Sequence, residues 1–465
     1  MENSVIRLDS ITINNFKNVQ TGELSFVNSR KNYRASIVGL YGQNGSGKTA
    51  LIDALSMFKY ILCGAPVPLK YADYINVDSS YAHIKYVLKI TDPDDDDTEF
   101  KVEYELSFRK EKDESYQNTD GGGIADHHKI VLFDEVLSCA CKIDGKKGIK
   151  QVLIDTRNED TFGPKTKYDI LTGKNKSVFT DLIVAKKLSA ATSRSFIFSS
   201  ELVNVIRDNC RDEAYSSVID SLVKYGNYEL FVIDSATVGR ISLNAMPLII
   251  GSRKHGSVVV SLNDGAVVPD DLMDSVRGVI GNMNIVLPQL IPGMSIDVKE
   301  MGTQMLRDGS LGTRIQLVSN KASREIPLQY ESDGIKKIIA ILQLLIAVYN
   351  KHSITVAIDE LDAGVFEYLL GEILRIISEK GRGQLIFTSH NLRPLETLDK
   401  GFVAFTTTNP AHRYIRFSNV KTNNNLRDFY YRDIILGEQN EPVYEPTHNS
   451  EIALAFREAG ELYGS

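Results

Sequence analysis

The octapeptide Gly42-Gln43-Asn44-Gly45-Ser46-Gly47-Lys48-Thr49 constrains this chain more than any other stretch. It fits G-x-x-x-x-G-K-[ST] at every fixed position. Its glycines let the backbone curl until consecutive N–H groups face one concavity, and a helix N-terminus behind them adds partial positive charge. Lys48 is then placed to reach the β- and γ-phosphates of a nucleotide, and the Thr49 hydroxyl to ligate Mg²⁺. The motif needs a strand before it and a helix after it. Ala35–Leu40 reads as a buried strand, and apolar spacing predicts a helix from Lys48 through LIDALSMFKYIL. An ordinary Gly-rich turn has no need of that flanking pair.

Two more strand ends carry suitable chemistry. The apolar run Ile354–Ile358 leads into Asp359 and Glu360. A carboxylate at the end of a buried strand sits where Mg²⁺ takes its second protein contact, which falls to Asp359. Glu360 is then placed to polarise an attacking water. His390 follows the strand QLIFTS, where its imidazole suits the γ-phosphate and that water. Glu331-Ser332-Asp333-Gly334-Ile335-Lys336-Lys337 introduces a long apolar helix, Ile335–Asn350. Ser332 or Asp333 reads as its N-cap, and its N-terminus as a second phosphate-facing helix end. The phosphate loop already has a helix end of its own. The second one therefore predicts a partner copy, arranged head to tail, in a dimer or a higher oligomer with ATP and Mg²⁺ between the chains.

The middle of the chain is less specific. From about Tyr81 to Thr172, HIKYVLKI, FKVEYELSF, KIVLFDEVLSCA and GIKQVLIDT alternate with period two and read as strands. The acidic run Asp92–Asp97 reads as a solvated hairpin end, because no glycine-turned calcium-loop spacing surrounds it. Gly121–Gly123 reads as another excursion. Helical spacing takes over from about Asp181 to Leu230, and mixed elements follow to about Ser319. No long heptad array appears, so this region predicts a compact lobe rather than a coiled-coil arm.

Composition excludes several classes. The chain has 465 residues, 43% apolar and 24% charged, as a folded protein has. No apolar run of about 18 residues occurs, which excludes a membrane-spanning helix, and the first residues lack a signal-peptide core. Four cysteines, with only Cys139 and Cys141 closely spaced, make neither a disulfide framework nor a zinc site. The expectation is a reduced, cytoplasmic protein. A net charge of −7 argues against a surface coated in nucleic acid, yet a local basic groove stays open because net charge says nothing of distribution.

The order GQNGSGKT, ESDGIKK, AIDELDAG, FTSH resembles that of the ABC-type ATPase heads. ESDGIKK looks like their LSGGxxx signature, with Glu-Ser-Asp-Gly in place of Leu-Ser-Gly-Gly. Leu361-Asp362-Ala363-Gly364 resembles the D-loop, and His390 the switch histidine. The opening ITINNFKNV resembles the first strand of the RecF, SMC and break-repair branch. The stretch Asn423–Glu445 resembles the tail of bacterial ATPases of phage-defence systems: the OLD type, abortive-infection proteins, and the ATPase subunits of Septu and PARIS. For a Q-loop glutamine only a region is marked, at Asp134 and Glu135 after KIVLF.

The resemblance implies an α/β ABC-type P-loop ATPase head, with a mixed or parallel sheet, flanking helices and an antiparallel β lobe. It also implies a mostly helical inserted lobe without a long coiled coil. The expected division is 1–185, 186–320 and 321–465, the head being formed by the first and last parts. The implied site joins Gly42–Thr49, Ser332, Asp333, Gly334, Asp359, Glu360, Asp362 and His390, with ATP and Mg²⁺. After His390 no Asp-x-Asp occurs, so no Toprim nuclease is expected in this chain. The implied function is an ATP-hydrolysing sensor or scaffold of anti-phage defence, acting on a separate Toprim or HNH nuclease or toxin. A RecF-like DNA-repair ATPase is the alternative, and it leaves nucleic acid open as a ligand.

Overall fold

The structure is a computed structural model. It describes all residues except 1–3, 28–34, 93–94, 114–127, 144–145, 158, 243–244, 249–257, 264, 307–308, 322–323, 418–424, 438 and 462–465. The glycines at 121–123 lie outside the described residues, as does part of the acidic run at 92–97.

The opening alternation forms a hairpin, β1 (Val5–Phe16) and β2 (Val19–Ser25), and the buried apolar run forms β3 (Ser36–Tyr41). Helix α1 (Lys48–Leu62) follows the glycine loop. Period-two segments then give β4 (Ala82–Asp92), β5 (Asp95–Lys112), β6 (His128–Ile143), β7 (Lys146–Lys147) and β8 (Gln151–Asp155). The β-rich reading carried to Thr172 ends too late. Residues 165–171, led by Pro164, form helix α2 (Lys165–Leu171), as proline before a first turn allows. Helices α3 (Val178–Ala191), α4 (Ser200–Asn209) and α5 (Glu213–Tyr228) match the helical spacing. Next come β9 (Leu230–Ile233), α6 (Ser235–Ser242), β10 (Ala245–Leu248), β11 (Val258–Ser261), β12 (Ala266–Pro269), α7 (Asp270–Leu290), β13 (Met294–Met305), β14 (Leu311–Lys321) and β15 (Arg324–Pro327). The last third holds α8 (Asp333–Asn350), β16 (Thr355–Ile358), α9 (Glu367–Lys380), β17 (Gln384–Thr388), α10 (Pro394–Thr397), β18 (Val403–Thr406), β19 (Tyr414–Ile415), α11 (Leu426–Leu436) and α12 (Asn449–Glu461).

Two large sheets enclose α1. One is antiparallel, in the order β2-β1-β4-β5-β6-β7 with β8 on β6. The other runs β19-β18-β3-β17-β16-β9, and all its neighbours are parallel except β18 and β19. Burial between two sheets explains why α1 is apolar on nearly every side. Phe58 of α1 stacks on Tyr86 of β4 with ring centroids 3.9 Å apart. Buried Gln384 ties the sheets together. Its side chain accepts from Leu8 N and donates to Leu8 O, both at 2.8 Å, and accepts from Thr355 Oγ1 at 3.0 Å.

The stretch 186–320 is shared among different cores. Helices α4 and α5 pack into the core around α1. Strand β9 is an edge of the parallel sheet. From α6 to β15 the chain builds a smaller core of its own around α7, β13 and β14. Helix α8 lies between that lobe and the parallel sheet: Ile338, Ile341 and Leu344 face one core, and Ile339, Ala340 and Leu342 the other. The architecture is the expected α/β head, a P-loop sheet beside an antiparallel β lobe; the added lobe from α6 to β15 is mixed rather than mostly helical, α7 packing with the sheet of β12, β14 and β13. None of the described helices forms a long coiled-coil arm, the longest being α7 at 21 residues. No described helix is long and apolar enough to cross a membrane.

Candidate functional site

Parallel strands deliver their following loops to one edge of the sheet. Here that edge gathers the loop after β3, the acids after β16, the segment after β17 and the start of α6 after β9. The glycine loop closes between β3 and α1. Gly42 has a φ of 154°, and a Cβ there would lie 1.8 Å from Thr406 Oγ1. The loop is braced by side chains far away in sequence. Ser46 Oγ donates to Gln43 O at 2.6 Å and bonds Thr406 Oγ1. Asn18 Nδ2 donates to Gly45 O, and Tyr414 Oη donates to Gly47 O at 3.0 Å. The Gln43 side chain accepts from Glu445 N at 2.9 Å. Asn44 is exposed, and Thr49 is half-buried in the first turn of α1.

Lys48 Nζ donates to Gly42 O at 2.8 Å and Gln43 O at 2.9 Å. Burial lowers its pKa, while Asp359, Glu360 and Asp362 pull it back up. These three carboxylates therefore share one electrostatic neighbourhood with the loop. Asp359 is buried; Thr388 Oγ1 donates to its Oδ1 at 2.6 Å, and Ser235 Oγ to its Oδ2. Glu360 is exposed, in a left-handed backbone conformation with φ 48°. Its N–H donates to Thr388 Oγ1 at 2.8 Å.

Asp362 turns into its own chain. Its Oδ2 accepts from the backbone N–H of His390 at 3.1 Å and of Asn391 at 3.0 Å, while its buried Oδ1 has no hydrogen-bond partner. His390 itself is exposed. Ser332 is the N-cap of α8, accepting from Ile335 N at 3.4 Å, and Asp333 pairs with Lys336 at 2.8 Å. Both are exposed. Gly334 abuts Gly364: a Cβ on it would lie 2.0 Å from Gly364 O. Signature-like and D-loop-like segments thus meet on one face.

Asp134 and Glu135 belong elsewhere, which corrects the Q-loop region marked above. Asp134 sits at an irregularity of the β5–β6 ladder. Glu135 is buried and accepts from Tyr104 Oη at 2.7 Å, Phe196 N at 2.8 Å and Ser195 Oγ. The strand end next to Asp359 is instead Ile233, and Ser235 after it reaches the carboxylate. Sequence reasoning missed Ser235 because β9 is a four-residue strand without alternation. It also missed Lys337, whose buried ammonium donates to Glu360 O. Burial lowers the Lys337 pKa, and Asp362, Glu360 and Asp359 oppose that.

The residues present fit a nucleotide with Mg²⁺. Backbone N–H groups, a helix N-terminus and Lys48 suit phosphate, and the Thr49 hydroxyl and Asp359 carboxylate are the hard oxygens Mg²⁺ takes alongside phosphate. Fold and site together define a P-loop ATPase domain. The family model described as "AAA domain" matches residues 10–215, somewhat under half of the chain. No curated protein matches in sequence. Among solved structures, an SMC head bound to the C-terminal winged-helix domain of ScpA is 12% identical, covering 89% of this chain and 98% of that one, with a TM-score of 0.42. The SMC head domain from Thermotoga maritima is 14% identical over 89% and 99%, at 0.36. The recombination mediator RecF is 13% identical over 88% and 98%, at 0.35.

Proposed function

We propose that the chain is an ATP-hydrolysing switch whose nucleotide is enclosed between two copies. Gly42–Thr49 of one copy holds the phosphates, with Lys48 as the counter-charge and Thr49 and Asp359 as Mg²⁺ ligands. Bound nucleotide supplies the phosphoanhydride, and Mg²⁺ the charge that neutralises its oxygens. Glu360 orients and deprotonates the attacking water, and His390 faces the same water. Ser332, Asp333 and Gly334 of the other copy complete the site. The observation that carries this reading is the paired Gly334–Gly364 face. It is rimmed by exposed rings, Tyr330 at 73%, Phe366 at 69% and Tyr368 at 55%. Exposed aromatics of this kind are enriched at interfaces.

At the finer level, the tail at Asn423–Glu445 supports a sensor or scaffold of anti-phage defence that controls a separate nuclease. A specific observation favours the RecF-like alternative. Between 164 and 195 the chain has seven Lys or Arg against two acids. Of these, Lys165, Lys174, Lys176 and Lys187 on and around α2 and α3 are exposed. One preparation tests both readings: the tagged chain co-expressed with its neighbouring genes, with Mg²⁺ and a slowly hydrolysed ATP analogue. A nucleotide-dependent complex of defined mass containing a nuclease or toxin supports the defence reading. Duplex DNA binding by the purified chain, falling steeply with salt, supports the alternative. A monomer with and without nucleotide defeats the shared site.

A further inference from the structure

The function proposed above uses Ser332–Gly334 and leaves Lys337 idle. Lys337 lies on α8, about one turn beyond those residues, and is 4% exposed. A buried ammonium must be paired or it is costly. It donates to the carbonyl oxygen of Glu360. Ala363 N also donates to that oxygen, at 3.0 Å. The other side of the same residue is held as well, since Glu360 N donates to Thr388 Oγ1 at 2.8 Å.

That grip falls on a backbone that needs holding. Glu360 has φ 48°, a left-handed region that is unfavourable for a residue with a side chain. Such a conformation persists only where its surroundings over-determine it. Here they do so from two elements: β17 through Thr388 and α8 through Lys337. The direction of the Glu360 carboxylate follows from this backbone.

We propose that Lys337 is a positioning residue that clamps the Glu360 carbonyl and so couples α8 to the water-polarising carboxylate. The proposal rests on the ATPase reading above. An α-helix is stiff over one turn. Whatever binds or shifts the Ser332–Gly334 end of α8 therefore moves Lys337, and with it the strained residue of the same chain. In a head-to-tail pair, contact at one site would be felt at the other through this lysine.

Three variants of the full chain test this. Lys337→Met keeps the stem and removes both donor and charge. Lys337→Gln removes the charge and keeps a donor. Lys337→Arg keeps both. For Lys337→Met the expected result is ATP affinity within about threefold of the parent, kcat reduced at least about tenfold, and faster amide exchange at Leu361 and Ala363 in nucleotide-free protein. Exchange in β4–β6 should not change. Lys337→Arg should keep more than about a third of the parent kcat, and Lys337→Gln should lie between the two. Parent kcat with parent exchange in Lys337→Met would overturn the clamp. So would exchange raised throughout the chain, which would mark a general packing role. A Lys337→Gln variant as impaired as Lys337→Met, with local exchange unchanged, would assign the effect to charge and also overturn it. If the parent binds no ATP, the function proposed above fails by itself. The exchange comparison in nucleotide-free protein still decides the clamp.

Discussion

Glu360 and Lys48 show how far single residues carry the chemistry. Lys48 holds the loop carbonyls of Gly42 and Gln43, and its charge is the side-chain cation of the octapeptide itself. Lys48→Ala should weaken ATP binding roughly 10- to 150-fold, because a charge-assisted contact of about 1.5–3 kcal/mol disappears. Titration with a fluorescent ATP analogue checks this, and undiminished affinity would remove the loop assignment. Glu360→Gln keeps shape and backbone but replaces a base by an amide. It should bind ATP as the parent does and hydrolyse it roughly 10²–10⁴-fold more slowly. Turnover at the parent rate would mean that another group activates the water.

At the level of elements, Glu135 joins β6 to the segment that starts α4, by accepting from Tyr104, Ser195 and Phe196. Burial raises its pKa above the ordinary carboxylate value, against the pull of those donors. The folded chain thus keeps this proton to higher pH than the unfolded chain does. The contribution to stability is complete below the ordinary value and is lost as pH rises through the folded one. Glu135→Gln, neutral at all pH, should gain on the parent in urea melts as pH is raised above the ordinary carboxylate value. A gap that does not change over that range would show the carboxylate ionised in the fold. Gln384 joins the two sheets, so Gln384→Leu strands Leu8 N, Leu8 O and the Thr355 hydroxyl. At about 1–3 kcal/mol per buried orphan, it should cost roughly 3 kcal/mol or more, seen as a lower urea midpoint at unchanged m.

These joints also mark where sequence reading stopped. Strand, glycine loop and helix at 35–62 were legible because the motif and its flanks are contiguous. The strand ends at Asp359 and His390 were legible because parallel buried strands are apolar runs that stop abruptly at polar residues. Helix α2 was swept into the β-rich stretch because seven residues carry little helical period. Ser235, Lys337 and Thr406 were illegible. Each reaches the site only through sheet order or helix packing, which place residues 23, 124 and 360 positions apart side by side.

The whole molecule raises the question of whether one chain is a complete machine. Ser332 and Asp333 are exposed at the N-terminus of α8, while Lys48 belongs to the helix end at α1. Two helix ends, each favourable to anionic charge, are better used if each faces the nucleotide of a second copy. Ser332→Arg should then leave ATP binding to one chain nearly intact and block association, through bulk and charge at the N-cap. Mixing Lys48→Ala chains with Ser332→Arg chains is sharper. In a mixed head-to-tail pair one site carries both lesions and the other carries neither. Hydrolysis absent from each variant alone should therefore return on mixing, up to about a quarter of the parent rate when half the pairs are mixed and each has one of two sites intact. Mass measurement with the slowly hydrolysed analogue shows whether mixed pairs form. If they form and no hydrolysis returns at any ratio, either α8 does not complete its neighbour's site or both sites must fire together. Where hydrolysis does return, adding Lys337→Met to the chain with intact Lys48 should lower it at least about tenfold, because that chain supplies the Glu360 of the intact site.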